Sequence, residues 1–492
     1  MRLDALLKGI QFSIVTGDPQ VDISGIAYDS RQVKSGYLFI CISGFKTDGH
    51  LYIEQAVQKG AVAIMVERES DFPQDLTIIK TADNRRALSV AAANFYGRPA
   101  HDLRVIGVTG TNGKTTTTHL IRAILEESGL KTSIMGTLYA RVGNKTVDFG
   151  RTTPEALEVE SFMRTSRDSG IGYAVMEVSS HALDLYRVSE IDFNVAVFTN
   201  LTQDHLDYHD SMESYKAAKQ KLFAMIPPQE GNLAVVNADD DYAQDFIRAA
   251  KAPAITYAIN HESDVKALNV KSSLKGSSFT VGYQDRTFNV KMNLIGLFSV
   301  YNALAAIAVA LAEGISPDII QKALQKVEGV PGRFEQVDAG QDFTVVVDYA
   351  HTPDGLENIL RTGRKLTEKR LITVFGCGGD RDRGKRPLMG EVAARYSDFC
   401  VVTSDNPRSE EPEAIIDDIV PGLDKVKDSR YAIISDRREA IRQAIHLARK
   451  GDLVIIAGKG HETYQLVKDK VLDFDDKKVA TEILKGLGKQ CR

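Results

Sequence analysis

Cysteine is scarce in this 492-residue chain. Cys41, Cys377, Cys400 and Cys491 form no C-x-x-C pair, which excludes a disulfide scaffold and predicts reduced thiols in a cytosolic protein. Basic charge is not in excess either. The formal net charge is -5, with both signs spread along the chain, so no basic stripe is offered to a nucleic-acid backbone and nucleic acid is not expected as a partner. Long apolar runs are missing: the longest, Ala303 to Ala312, falls far short of the roughly 18 residues that span a bilayer. Residues 1–15 lack the basic start and apolar core of a signal peptide, so a cytoplasmic protein without membrane insertion is expected. Internal repeats and low-complexity segments are absent as well.

What is present is an alternation of short apolar runs with helical stretches, in a chain too long for one core. Residues 1–98 read as a small α/β unit, closed by the turn-rich Gly97-Arg98-Pro99. Residues 99–332 read as a mainly parallel sheet covered on both faces, ending at Gly329-Val330-Pro331-Gly332. Residues 333–492 read as a doubly wound unit with ligands at the carboxyl ends of its strands. The expected class is therefore α/β in three domains.

The strongest local signal is Arg104-Val105-Ile106-Gly107-Val108-Thr109 running into Gly110-Thr111-Asn112-Gly113-Lys114-Thr115-Thr116. A strand that turns through two glycines into a helix start cradles phosphate: backbone N–H groups converge, Lys114 adds a point charge and the Thr115 hydroxyl suits Mg²⁺. ATP is the ligand this predicts. The general pattern places its first glycine at 108, where this chain has Val108, so the loop is a compact variant.

Two further strand ends carry polar groups. Glu177 closes the run Ala174-Val175-Met176, where a carboxylate would face the phosphate-loop cation, and Asp204-His205-Leu206-Asp207-Tyr208-His209 follows the next strand, with His205 the candidate ligand. Lys216, Lys219 and Lys221 read by spacing as a solvated helix face. In the last third, Asp348 ends a Val-rich strand and suits a ribose hydroxyl, and His351 follows it. Three rim loops then supply Arg381, Asp405-Asn406-Pro407-Arg408, and Gly458 with Glu462. That mixture of signs suits an amino acid bearing carboxylates and ammonium groups.

GTNGKTT at 110–116, EVSSH at 177–181, NLTQDHLDYH at 200–209, VYNALAA at 300–306, PGRFE at 331–335, DYAHTP at 348–353 and GCGGDRDRGKRPLM at 376–389 together resemble the Mur ligases of peptidoglycan synthesis, relatives of folylpolyglutamate synthase. The resemblance implies a central P-loop ATPase domain, a C-terminal Rossmann-like domain and an ATP- and Mg²⁺-dependent amide-forming ligase. It implies catalytic roles for Lys114, Glu177, His205 and Lys219, with Thr115, Glu177, His205 and a carbamylated Lys219 around the metal. It adds Asn302 and Arg333 to Asp348 as nucleotide contacts, and Ser30, Thr152, Thr153, Ser179 and Arg187 as contacts for a UDP-N-acetylmuramoyl-dipeptide. Leu185 departs from the pattern, since relatives often carry Gln there. DNPR at 405–408 resembles the version that adds meso-2,6-diaminopimelate, with Arg408 facing the distal carboxylate. A lysine-adding relative, a folylpolyglutamate-synthase-like ligase and an ATP-binding scaffold without turnover are the alternatives.

Overall fold

The structure, a computed structural model, describes residues 1–45, 47–68 and 76–490; Cys491 lies outside them. Three large sheets organise the described residues, beside a two-stranded antiparallel hairpin of Tyr464–Val467 and Lys470–Asp473, and each large sheet keeps the parallel pairing that buried Val/Ile-rich runs favour. The first has five strands, with Gly25–Ala27, Tyr37–Ile40, Ala61–Val66 and Thr77–Thr81 parallel and Phe12–Thr16 antiparallel at its edge. The third has six strands; Thr344–Asp348, Leu453–Ala457, Leu371–Phe375, Phe399–Val402 and Tyr431–Ile433 are parallel in that spatial order.

The central sheet decides where the site lies. Arg104–Thr109 is sandwiched between Tyr173–Glu177 and Phe193–Phe198, parallel to both. The phosphate loop therefore leaves the sheet with Glu177 on one side and Thr199-Asn200 on the other. Val108 is fully buried inside that middle strand, opposite Glu177 and Val197. A glycine would gain nothing there, because the turn begins two residues later.

The sheet is mainly parallel, as expected, but antiparallel strands extend it at both edges. Val265–Ser273, Gly276–Tyr283 and Arg286–Met292 form an antiparallel extension, and Ala140–Val142 with Lys145–Val147 forms another on the far edge. These strands are solvated on one face and joined by two-residue turns, so they lack the apolar run that marks the buried strands.

Packing fixes the loop's helix. Lys114–Glu127 places Ile121, Ile124 and Leu125 in one core with Leu304 and Ile307 of Leu297–Ala312. That second helix is apolar nearly all round and correspondingly buried. The opposite face of the sheet is covered by Phe162, Met163, Leu222 and Phe223. Cys41, Cys377 and Cys400 are free and buried. Among the described residues no helix is long and apolar enough to cross a membrane.

One buried group is under electrostatic stress. Glu160 is 1% exposed, its Oε2 has no hydrogen-bond partner, and burial pushes its carboxyl from 4.5 up to about 8. The folded state then holds a proton that the unfolded state releases, so Glu160 lowers stability as pH climbs from about 4.5 to about 8. Glu160→Gln should raise thermal stability at pH 8 by about 1–3 kcal/mol and change little at pH 4; melting curves across that range check this, and a uniform offset at every pH would contradict it.

Candidate active site

The phosphate loop closes because two of its residues are glycine. Gly110 has φ +148°, and a Cβ there would lie 1.9 Å from Thr199 Oγ1; Gly113 has φ +88°, and a Cβ would lie 2.3 Å from Asn302 Oδ1. The loop is cross-tied to the next strand end: Thr111 N donates to Asn200 O at 2.8 Å, and Asn112 N to Asn200 Oδ1 at 2.9 Å. Lys114 Nζ folds back onto Gly110 O and Thr111 O at 2.8 and 2.9 Å. Its ammonium is held below the usual lysine range, mainly by desolvation.

Glu177 is almost fully buried and is fixed by several donors. Oε2 accepts from Thr115 Oγ1 and Thr137 Oγ1, both at 3.0 Å, and Oε1 accepts from Thr137 N at 2.8 Å. Gly136 makes this possible, since a Cβ there would lie 2.2 Å from Glu177 Oε1. Sequence reasoning missed both Gly136 and Thr137, because neither sits in a recognisable pattern.

Lys219 corrects the spacing-based reading of its helix. Lys216 and Lys221 do face outward, to Asp245 and Asp184. Lys219 is 1% exposed, donates to Gly110 O at 2.9 Å and lies 4.4 Å from the Tyr215 ring centroid. Burial, reinforced by Lys114, pushes its ammonium well below the lysine range. His205 adopts φ +56° and turns its ring to Asp204, Nε2 to Oδ2 at 3.3 Å. Desolvation lowers the affinity of that imidazole for a proton, against the opposing charge of Asp204. Asp204, 7% exposed, was not singled out by the sequence. Asp207 is exposed, whereas His209 is buried with Nε2 unpartnered. Among the described residues, no group of three or more His, Cys, Asp or Glu side chains converges as a metal cluster.

Between the central and third sheets lies a cavity of about 630 Å³. Of the residues expected around a nucleotide, Asn112, Gly113, Thr115, Thr116, Asn302, Arg333 and Asp348 line it, whereas Gly110, Thr111 and Lys114 do not. Arg333 Nη2 donates to Thr115 Oγ1 at 3.1 Å, its guanidinium carbon lies 4.5 Å from the Tyr349 ring centroid, and its Nε is buried without a partner. Asp348 already accepts from Phe334 N at 2.6 Å and Ala350 N at 2.7 Å. His351 Nδ1 contacts Tyr349 O at 2.8 Å. Phe298, Tyr301 and Ile359 supply an apolar end that the motifs did not reveal.

On the side toward the first sheet, Thr153, Ser179 and Arg187 meet. Thr153 Oγ1 donates to Glu177 O at 2.8 Å and accepts from Ser179 N at 3.1 Å; Arg187 Nη1 donates to Thr153 O at 3.0 Å. Thr152 Oγ1 lies 3.0 Å from Thr137 Oγ1. Ser30 stands apart, donating to Gln55 Oε1 at 2.6 Å within the first unit. Leu185 caps the helix Ser180–Asp184.

The three rim loops of the third sheet converge as well. Arg408, at φ +54°, donates Nη1 to Gly379 O at 2.8 Å, and its backbone is bonded to Leu466 and Lys468. Burial and then Arg381 hold its guanidinium below the usual range. Arg381 is exposed and donates to Asp380 O at 2.8 Å. Asn406 Nδ2 donates to Glu462 Oε2 at 2.8 Å, and burial followed by Asp405 raises the Glu462 carboxyl. Gly458 has φ +122°, and a Cβ would lie 2.4 Å from Asp405 Oδ2. Pro407 is buried between Asn406 and Arg408.

Three family models match the chain: "Mur ligase family, catalytic domain" over 22–104, "Mur ligase middle domain" over 108–310 and "Mur ligase, glutamate ligase domain" over 332–460. The UDP-N-acetylmuramoyl-L-alanyl-D-glutamate--2,6-diaminopimelate ligase of Syntrophomonas wolfei is 64% identical over 486 residues, 99% of each chain. A solved structure of a ligase with that name superposes with TM-score 0.67 at 34% identity, covering 97% of both chains. Folylpolyglutamate synthase of Mycobacterium tuberculosis shares the fold at TM-score 0.63 and 19% identity, over 75% of this chain and 91% of that one.

The loop geometry makes a direct prediction. Gly113→Ala drives a Cβ into Asn302 Oδ1 at a φ that alanine resists, so ADP affinity by titration calorimetry should fall about tenfold or more; unchanged affinity would refute the cradle.

Proposed function

The chain belongs to the Mur ligase family, and we propose from that premise that it joins meso-2,6-diaminopimelate to UDP-N-acetylmuramoyl-L-alanyl-D-glutamate in peptidoglycan precursor synthesis, with ATP as the energy source. The observation that carries this reading is the cavity in which the phosphate-loop residues Gly113, Thr115 and Thr116 meet Asn302, Arg333 and Asp348, with the buried Glu177 bonded to Thr115. The three sheets correspond, in this reading, to three domains at 1–98, 99–332 and 333–492.

The reaction must activate a carboxylate, because oxide does not leave when an amine attacks at neutral pH. The D-glutamyl γ-carboxylate takes the terminal phosphoryl group of ATP; the incoming amine then attacks the acyl carbon, phosphate departs, and the amine loses a proton to leave the amide. The backbone from Gly110 to Thr116 cradles the phosphates, and Lys114 neutralises charge on the moving phosphoryl group. Arg333 brings a second cation across from the third domain onto Thr115. Asn302 faces the adenine and Asp348 the ribose. Ser30, Thr152, Thr153, Ser179 and Arg187 hold the UDP-sugar dipeptide, a role supported by the cluster around Thr153.

Magnesium fits the donor set at Thr115 and Glu177, whose oxygens are 3.0 Å apart in a buried pocket. When bound, Mg²⁺ supplies Lewis-acid stabilisation of phosphoryl charge. His205, kept neutral, and Lys219 complete the set, provided that Lys219 becomes an anion. Its depressed ammonium supplies the free amine that attacks CO₂; the nitrogen gains the carboxylate and releases a proton. A cytoplasmic location accords with the unpaired, buried thiols of Cys41, Cys377 and Cys400.

Selectivity rests on Arg408 for the distal carboxylate. Arg381 takes the α-carboxylate, Asp405, Asn406 and Glu462 take the ammonium groups, and Pro407 and Gly458 shape the wall.

Two measurements test the reading. Phosphate release with a panel of amino acids should favour diaminopimelate over L-lysine by about 10⁴, and Arg408→Asn should erode that preference while ATP binding stays intact; equal turnover with lysine in the parent protein would sink the specificity. Lys219→Ala should lose about 100-fold or more of the activity, and intact mass under bicarbonate should reveal the carbamate; full activity in that variant would refute the ligand role.

A further inference from the structure

The loop after Leu453–Ala457 carries a cation that the reaction does not call for. Lys459 is 0% exposed, yet its Nζ lies 3.0 Å from Asn406 Oδ1, 3.1 Å from Glu462 Oε2 and 3.8 Å from Asp405 Oδ1. These are the groups that the proposed function assigns to the ammonium ends of the amino acid. The side chain is sealed from solvent, so it acts on the substrate only through them. Asn406 completes the arrangement: its Oδ1 also accepts from Leu466 N at 2.9 Å, and its Nδ2 reaches Glu462 Oε2 at 2.8 Å.

Other buried cations nearby are already neutralised. Arg437 meets Asp476 through two bonds, at 2.8 and 2.7 Å, and uses its remaining N–H groups on Ser404 O and Ala457 O. Arg386 is held by Glu410 and Asp418. Lys459 has only the carboxylates of the amino-acid site itself. Around that site, Arg381, Arg408 and Lys459 oppose Asp380, Asp405 and Glu462, so the signs balance; without Lys459 the carboxylates would be in excess. Diaminopimelate, with two carboxylates and two ammonium groups, is neutral overall, whereas lysine has one carboxylate fewer and is a net cation.

We propose that Lys459 is a positioning residue that determines specificity: it holds Asn406 and Glu462 in place and keeps the site from becoming net negative, so that an amino acid with a second carboxylate is preferred to a cationic one. This rests on the diaminopimelate reading above. A charge acting over such distances in a partly desolvated site shifts relative affinity by about tenfold.

The test compares Lys459→Met, Lys459→Arg and the parent protein with diaminopimelate and L-lysine at saturating ATP and UDP-sugar dipeptide. In Lys459→Met, KM for diaminopimelate should rise about tenfold and the diaminopimelate-to-lysine ratio of kcat/KM should fall about tenfold, with KM for ATP unchanged. Lys459→Arg, which keeps the charge, should retain the ratio even if kcat drops. Should the methionine variant fail to fold, Lys459→Gln gives the same readout with a polar contact retained. An unchanged ratio in a variant that still binds ATP, or equal losses for both amino acids, overturns the proposal. A parent protein indifferent to diaminopimelate would instead overturn the functional reading on which it rests.

Discussion

Two lysines share one carbonyl. Lys114 and Lys219 reach Gly110 O from different helices, at 2.8 and 2.9 Å, and the rest of the site is arranged around that contact. Desolvation pushes each lysine toward its neutral form, and for Lys219 the charge of Lys114 adds to it. The strain is tolerable because Glu177 and Asp204 lie close by, and because ligands that bear negative charge would relieve it. The contact also requires that Gly110 have no side chain, since Thr199 occupies the space a Cβ would need.

The same economy of space governs the neighbouring strand ends. Gly136 lets Glu177 turn inward, Gly113 admits Asn302, and Gly458 admits Asp405. Each is a place where two segments distant along the chain approach within the reach of a methyl group. Around them the units are tied by polar side-chain contacts, among them Asn112 to Asp354 at 2.7 Å and Arg333 to Thr115 at 3.1 Å toward the third unit, and Tyr28 to Glu158 at 2.8 Å and Arg98 to Glu190 at 3.0 Å toward the first. Small, polar contacts of this kind permit relative movement of the units, which suits a reaction whose reactants arrive on different surfaces.

Much of the fold is legible in the order of residues. Buried parallel strands announce themselves as continuous Val/Ile runs, and Ala61–Val66, Leu233–Asn237 and Leu453–Ala457 lie where the runs place them. The antiparallel extensions are not legible, because half-solvated strands with polar turns resemble loops. Among site residues, the phosphate loop is readable because its chemistry is local. Gly136, Thr137, Asp204 and Lys459 are not, because each matters only through a partner far away in the chain. Lys219 shows the limit well: on its helix it looks like its solvated neighbours Lys216 and Lys221, and only the fold buries it.

Fold class, phosphate cradle and family are written in the linear chain, since they depend on local periodicity, on glycines at a turn and on motifs read in order. Which charges are buried, and whom they face, is settled only by folding: Lys219 meets Gly110, Arg333 crosses to Thr115, and Lys459 lies beneath Asn406 and Glu462. The reason is physical. Backbone preference acts over a few residues, whereas desolvation and Coulomb interactions depend on distances in space that no linear spacing records.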